Sequence, residues 1–222
     1  MKIKHLVAAA ILAASAAAQA APITVATYSM PDGAPYFGAY YDNAYTGSNT
    51  GGFLSGGKGD LTDGVFGTSV VTGYGAWSPY VLWYQQSPVI TFDLGAIHTL
   101  DSVTTYFKYY SSAAVYIPAS VGVRFSSDGI SFGATQVRSL SSTERYLSDN
   151  MDGIYQLLAT PGVGRYVELT LNNLPENAWI ALAEVVFDGS LGGVSNVPEP
   201  ASGALILAAL AAMGLRGKRA RT

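Results

Sequence analysis

Val89-Ile90-Thr91-Phe92-Asp93-Leu94-Gly95 alternates strictly, with Ile90, Phe92 and Leu94 on one side and Thr91 and Asp93 on the other. Successive side chains of an extended chain point to opposite faces, so the pattern predicts a strand with one buried face, ended by Gly95. The stretches that follow read the same way. Leu100 to Tyr110 is rich in Val, Thr, Tyr and Phe, and Ser120 to Phe125 sets Val121, Val123 and Phe125 on one side. Arg165 to Leu171 does so with Val167, Leu169 and Leu171, and Trp179 to Phe187 is a closing apolar strand. Ser127-Asp128-Gly129 predicts a turn into a hairpin partner at Ile130-Ser131-Phe132. Pro118, Pro161, Pro175 and many glycines punctuate these runs, and no long amphipathic helix pattern intervenes. The expected fold is all-β, an antiparallel jelly-roll β-sandwich.

Upstream, between Asp32 and Gly75, the chain is rich in Gly, Asn, Ser and Tyr, as in Thr46-Gly47-Ser48-Asn49-Thr50-Gly51-Gly52. Interleaved Tyr36, Phe37, Tyr40, Tyr41 and Tyr45 favour long packed loops over a disordered linker.

The two ends have a different composition. Lys2 and Lys4, the apolar run Leu6 to Ala18 and the small-residue site Ala18-Gln19-Ala20 predict a signal peptide over 1–20, cut between Ala20 and Ala21. At the other end a linker, 192–196, leads into a tail, 197–222. That tail opens with Val197-Pro198-Glu199-Pro200, runs through apolar residues 201–215 and finishes with a basic end, 216–222. Pro198 and Pro200 interrupt both helix and ladder, isolating the tail from the body. Fifteen helical residues span about 22 Å, short of the ~30 Å hydrocarbon core of a bilayer, and the cations behind them fit a cytoplasmic end. A short transmembrane helix and an exported body are expected.

That body, 21–191, holds six Lys and Arg against fourteen Asp and Glu, a formal charge of about −8. Such a balance argues against nucleic acid, whose phosphates need clustered cations. The chain has no cysteine, which excludes disulfides, thiolate metal sites and a cysteine nucleophile. His5 lies in the leader and His98 stands alone, so zinc sites built on several histidines are excluded and a Ser-His-Asp triad has a single candidate. No HExxH or P-loop pattern occurs. Glycoside hydrolysis by paired carboxylates stays open on composition alone.

The tail resembles the PEP-CTERM sorting signal of Gram-negative bacteria, carried by Pro198, Glu199 and Pro200, the apolar run and the Arg-rich end. The resemblance implies export through the Sec machinery and across the inner membrane. It also implies transient anchoring by the tail, processing by the membrane enzyme exosortase, and a place at the cell surface or in an extracellular polysaccharide or biofilm matrix.

Within the body a second ordered set of motifs occurs. It consists of Leu61-Thr62-Asp63-Gly64, Trp77, Ile90 to Gly95, Leu100-Asp101-Ser102-Val103, Val121 to Gly129, Gly164-Arg165-Tyr166-Val167 and Ala183-Glu184-Val185. Over 61–189 this order resembles a discoidin-like domain, the coagulation-factor type C group of the galactose-binding-like jelly rolls. The resemblance implies a structural calcium ion held by Asp63, Thr68 and Glu184 with loop carbonyls near Leu61 and Phe66. Glu184 stands out independently, as a carboxylate in an apolar strand that needs a metal, a cationic partner such as Arg124 or Arg165, or water. Where the family has Asp-Gly, three residues, Thr-x-Trp, this chain has Val70 in place of the Trp.

Tyr74, Trp77, Tyr80, Trp83 and Tyr84 crowd one Gly- and Pro-containing segment. Aromatic faces stack on sugars, so the group is a candidate glycan platform, with core packing as the alternative for each ring. Three functions follow: a non-catalytic exported glycan-binding protein, a structural or adhesive protein binding other proteins, or a polysaccharide-active enzyme. The first is the expected one.

Overall fold

The computed structural model describes residues 21–33, 40–67, 71, 77–175 and 177–192. Eleven strands form among them: β1 (Ala21–Pro22), β2 (Thr27–Pro31), β3 (Ser48–Thr50), β4 (Phe53–Gly57), β5 (Val81–Tyr84), β6 (Val89–Tyr109), β7 (Ser120–Ser126), β8 (Gln136–Ser139), β9 (Met151–Gln156), β10 (Gly162–Asn172) and β11 (Trp179–Leu191). The strands pair antiparallel throughout. One layer runs β3-β4-β2-β6-β10-β7-β8, and the other sets β1, β5 and β6 against β11, with β9 paired to β6. The all-β sandwich expected from the alternation is what the chain forms.

β6 belongs to both layers. Its first half pairs with β2 and β10, and its second half with β9 and β11. Gly95 does not end the strand, contrary to the sequence reading. With φ +78° and its N–H on Asp93 Oδ1 at 2.7 Å, Gly95 makes a local irregularity through which the strand continues. Ile130 to Phe132 form no strand either. Asp128 takes the N–H groups of Ile130 and Ser131 at 2.9 and 2.8 Å, which holds these residues in a turn, and the partner of β7 forms later as β8.

Between the layers lies the core. Ile90, Phe92, Val103, Phe107, Val121, Val123, Val167, Leu169, Ile180 and Leu182 are fully buried there, and the rings of Phe92 and Phe187 meet across it at 5.0 Å. Each such side chain stabilises the fold by about 1.5–3 kcal/mol relative to exposure.

β11 positions everything that follows. Ile180 and Leu182 point into the core, and so do Val185 and Phe187, so the alternation changes parity between them. The cause is a bulge, seen as a register shift between the pairs Leu182–Phe107 and Glu184–Tyr106. Trp179, Ala181 and Ala183 pack in a second cluster on the opposite face, and the bulge sets Glu184 beside Ala183 on that same face. At about 3.3 Å per residue the strand is roughly 40 Å long, with Trp179 at one end and Leu191 at the other.

Among the described residues no helix is long and apolar enough to cross a membrane. The leader up to Ala20, Pro198, Glu199 and Pro200, and the apolar run 201–215 lie outside the described residues, as do Thr68 and Tyr74. Ala21 opens β1, opposite Gly189.

Candidate functional site

On the outer face of β11 a cleft of about 440 Å³ opens against the β6–β7 connection. Its walls are Tyr40, Val71, Trp77, Leu82, Val115 and Trp179, and its rim is Tyr110 with the turn Ser111 to Ala114. The rings form a continuous series. Tyr84 contacts Trp179 at 4.8 Å, Trp179 contacts Tyr40 at 4.9 Å, and Trp77 meets Tyr40 at 6.1 Å and Tyr110 at 6.2 Å. Edge-to-face and tilted packing of this kind fixes each ring without closing off every face.

Backbone bonds hold the rim rigid. Ala114, at φ +56°, closes the turn with its N–H on Ser111 O at 2.9 Å, and the Trp179 N–H donates to Ala114 O at 3.1 Å. Trp179 O in turn accepts the Tyr116 N–H at 2.9 Å. Asp149 and Asn150 brace the two sides from behind. Asp149 accepts Ser111 Oγ–H at 2.9 Å, the Ser112 N–H at 3.3 Å and Ser112 Oγ–H. Asn150, in a left-handed conformation, bonds both backbone groups of Val71, at 3.1 and 3.3 Å. Buried Lys108 donates to Asn150 O at 3.0 Å and pairs with Asp152 at 3.4 Å, and Asp152 also accepts Tyr80 Oη–H at 2.6 Å.

The five aromatic residues grouped by the sequence therefore part company. Trp83 is fully buried in the core with its Nε1–H on Pro31 O at 2.8 Å, so no ligand can reach its faces. Tyr80 is buried as well, with its hydroxyl on Asp152. These two are core residues: β5 turns Trp83 inward opposite Ile180, and the Tyr80 ring packs edge-on to Trp77 at 6.5 Å. Trp77 lines the cleft, and half-exposed Tyr84 supports Trp179. Tyr40, Tyr110, Trp179, Ser111, Ser112 and Asp149 were missed. The spacing between Trp179 and the other aromatics hid their pairing, although Asp149-Asn150 carries a recognisable turn signal.

A second feature shares this face. Glu184 is 4% exposed, and its Oε2 accepts the Gly64 N–H at 3.2 Å. Burial pushes its carboxyl up to about 7; the Gly64 bond offsets this in part, and the Asp63 charge adds to it. Asp63 lies on the same loop with Oδ1 on the Val65 N–H at 2.8 Å. Neither arginine considered as a partner for Glu184 is available. Arg124 forks onto Glu168 at 2.6 and 3.0 Å, and Arg165 onto Asp93 at 2.8 Å twice. Among the described residues no group of three or more His, Asp or Glu side chains gathers as a metal cluster. Two carboxylates, one of them buried and without a cation among the described residues, are nevertheless a donor set that suits a hard divalent ion completed by carbonyls.

Beside this loop lies a further acidic network that sequence reading did not find. Asp42 accepts Tyr28 Oη–H and the Asp60 N–H, while Asp32 accepts the Gly33 and Asp42 N–H groups and Asn49 Nδ2–H. Burial, then Asp42 and Asp63, push Asp60 up to about 6. The network ties the described residues 40–60 to β2; Tyr36 and Phe37 lie outside the described residues.

The two antiparallel layers, with a walled aromatic cleft at one end, are of the class of all-β jelly-roll sandwiches. The chain belongs to the family of the discoidin domain-containing receptor 1/2 DS-like domain, whose model matches residues 24–189. Residues 196–221 match the PEP-CTERM protein-sorting motif, which places the protein among exported, cell-surface or extracellular proteins. No curated protein matches the chain. Among solved structures, the C-terminal domain of a chitobiase from Bacteroides fragilis is 14% identical, with a TM-score of 0.49 over 77% of this chain and 99% of that one. CpGH89CBM32-5 from Clostridium perfringens, in complex with GalNAc-β-1,3-galactose, is 15% identical, with a TM-score of 0.42 over 75% and 99%.

Proposed function

We propose that this is an exported, non-catalytic glycan-binding protein, processed by exosortase and retained among extracellular polysaccharide. The observation that carries the reading is the cleft, in which Trp77, Tyr40 and Trp179 supply flat apolar walls and Ser111 and Ser112 a polar rim. Pyranose rings have an apolar face and a hydroxyl edge, and such a cleft matches both. Its volume suits one or two sugar rings.

What surrounds the cleft supports binding over cleavage as our reading. None of its described lining residues is Asp or Glu, and the two carboxylates behind it are committed, Asp149 to serine hydroxyls and Asp152 to Tyr80 and Lys108. Glycoside hydrolysis needs two carboxyl groups flanking the scissile bond. We further propose that Asp63, Thr68 and Glu184 hold a structural calcium ion, which would neutralise the Asp63–Glu184 pair and fix the loop against β11.

A glycan array with the full-length protein in detergent, with and without calcium, tests the reading. Binding to at least one sugar family, lost in Trp179→Ala, is expected. An array silent under both conditions would sink it.

A further inference from the structure

The rim of the cleft has a chemical polarity that follows from Asp149. This carboxylate is exposed, and bonds from the Ser112 hydroxyl and then Ser111 hold its carboxyl below the usual range, so it is ionised and can only accept. Ser111 and Ser112 must therefore spend their single hydroxyl protons on Asp149. What each hydroxyl turns toward the cleft is its lone pairs. The two serine hydroxyls, which would otherwise offer donors and acceptors alike, are thereby left to accept.

Charge points the same way. Of the six Lys and Arg in the body, Lys108, Arg124, Arg138 and Arg165 are ion-paired with Asp152, Glu168, Glu144 and Asp93. Arg145 lies over the Tyr146 ring, and Lys58 leads out of β4. None of the six lines the cleft. An anionic group placed at the Ser111–Ser112 rim would meet hydroxyl lone pairs with the Asp149 charge next to them, and no Lys or Arg of the described lining offsets its lost hydration.

Building on the glycan-binding reading, we infer that the cleft selects its sugar by the hydrogen bonds the sugar can donate. A sugar presenting hydroxyl or ammonium donors at the Ser111–Ser112 rim is taken, and a uronic acid, whose carboxylate only accepts, is turned away. Asp149 is the residue that sets this preference, acting through the two serines.

Calorimetric titration of the full-length protein with equal-length oligomers of glucosamine, N-acetylglucosamine and mannuronic acid tests the inference. The glucosamine oligomer should bind most tightly, and the mannuronate oligomer at least about tenfold more weakly than the neutral one at low salt. Raising the salt to about 0.5 M should narrow the gap between the charged oligomers while leaving the neutral one unchanged. In Asp149→Asn the amide can donate to a serine, freeing its hydroxyl proton for the cleft, so mannuronate should gain on the neutral sugar by several-fold. Mannuronate binding as tight as neutral binding in the wild type overturns the inference and leaves the glycan reading standing. Binding by none of the three overturns the inference, and the glycan array decides separately whether the glycan reading falls with it. The salt series uses unaltered protein, so its result stands even if the variant does not fold.

Discussion

The two faces of β11 share one strand and do opposite work. On the inner face Ile180, Leu182, Val185 and Phe187 are sealed between the layers, and Trp83 joins them from β5. On the outer face Trp179, Ala181, Ala183 and Glu184 are covered only by connections, and there the cleft and the buried carboxylate are found. Trp83 and Trp179 sit one ladder rung apart, since Trp83 pairs with Ile180 and Tyr84 with Trp179. A single step along the strand thus separates a ring that holds the fold from a ring open to a ligand.

The largest effect that separates the faces is expected at Trp83. Trp83→Ala removes a fully buried ring and leaves Pro31 O without its donor, which should destabilise the protein by about 3–5 kcal/mol in urea titration. Sugar affinity of the molecules that remain folded should not change. An unchanged unfolding midpoint would mean that the ring is not core.

Glu184→Gln comes next and acts with the opposite sign. Because the folded carboxyl is raised from its ordinary value of 4.5 to about 7, the folded state holds a proton that the unfolded state has released between those values. Stability from this group is therefore present at low pH and lost as pH rises through about 7. In calcium-free buffer at pH 8 the Gln variant should be more stable than the wild type by ~2–3 kcal/mol, and at pH 4 the two should coincide. Calcium should raise the wild-type melting temperature at pH 8 and leave the variant's unmoved; equal responses would remove the ion from Glu184.

Trp179→Ala is the mirror of Trp83→Ala. It should weaken sugar binding by roughly thirtyfold, a hot-spot loss of about 2 kcal/mol, while unfolding moves by about 1 kcal/mol. The smallest change is expected in Tyr84→Ala, at a half-exposed ring that only supports Trp179. A few-fold loss of affinity and less than about 1 kcal/mol of stability, read by the same titrations, would complete the contrast between the faces.

Much of the inner face was legible in the sequence, and little of the outer one. Alternation gives away Ile90, Phe92, Val121, Val123, Val167 and Leu169 because burial on one side of a pleat leaves a period of two. Pairing partners leave no such mark. Nothing in the order of residues says that Trp179 would meet Tyr40 across 139 positions, and the extra residue at the β11 bulge disguises which side Glu184 takes. The Tyr74 to Tyr84 cluster was visible as composition, yet composition does not say that Tyr80 and Trp83 go inward while Trp77 lines the cleft. The carboxylate pair was partly legible, since Glu184 breaks an apolar run, whereas the Asp32–Asp42–Asp60 network depends on backbone donors that any sequence possesses.

The cleft lies at the Trp179 end of β11, and the strand runs from there to Leu191. Its ladders to β5, β6 and β1 run antiparallel beside it, with hydrogen bonds perpendicular to the strand. Tension along β11 would load those bonds together in shear rather than peel them one by one, so the strand that shapes the cleft is also the one best able to carry a load applied there.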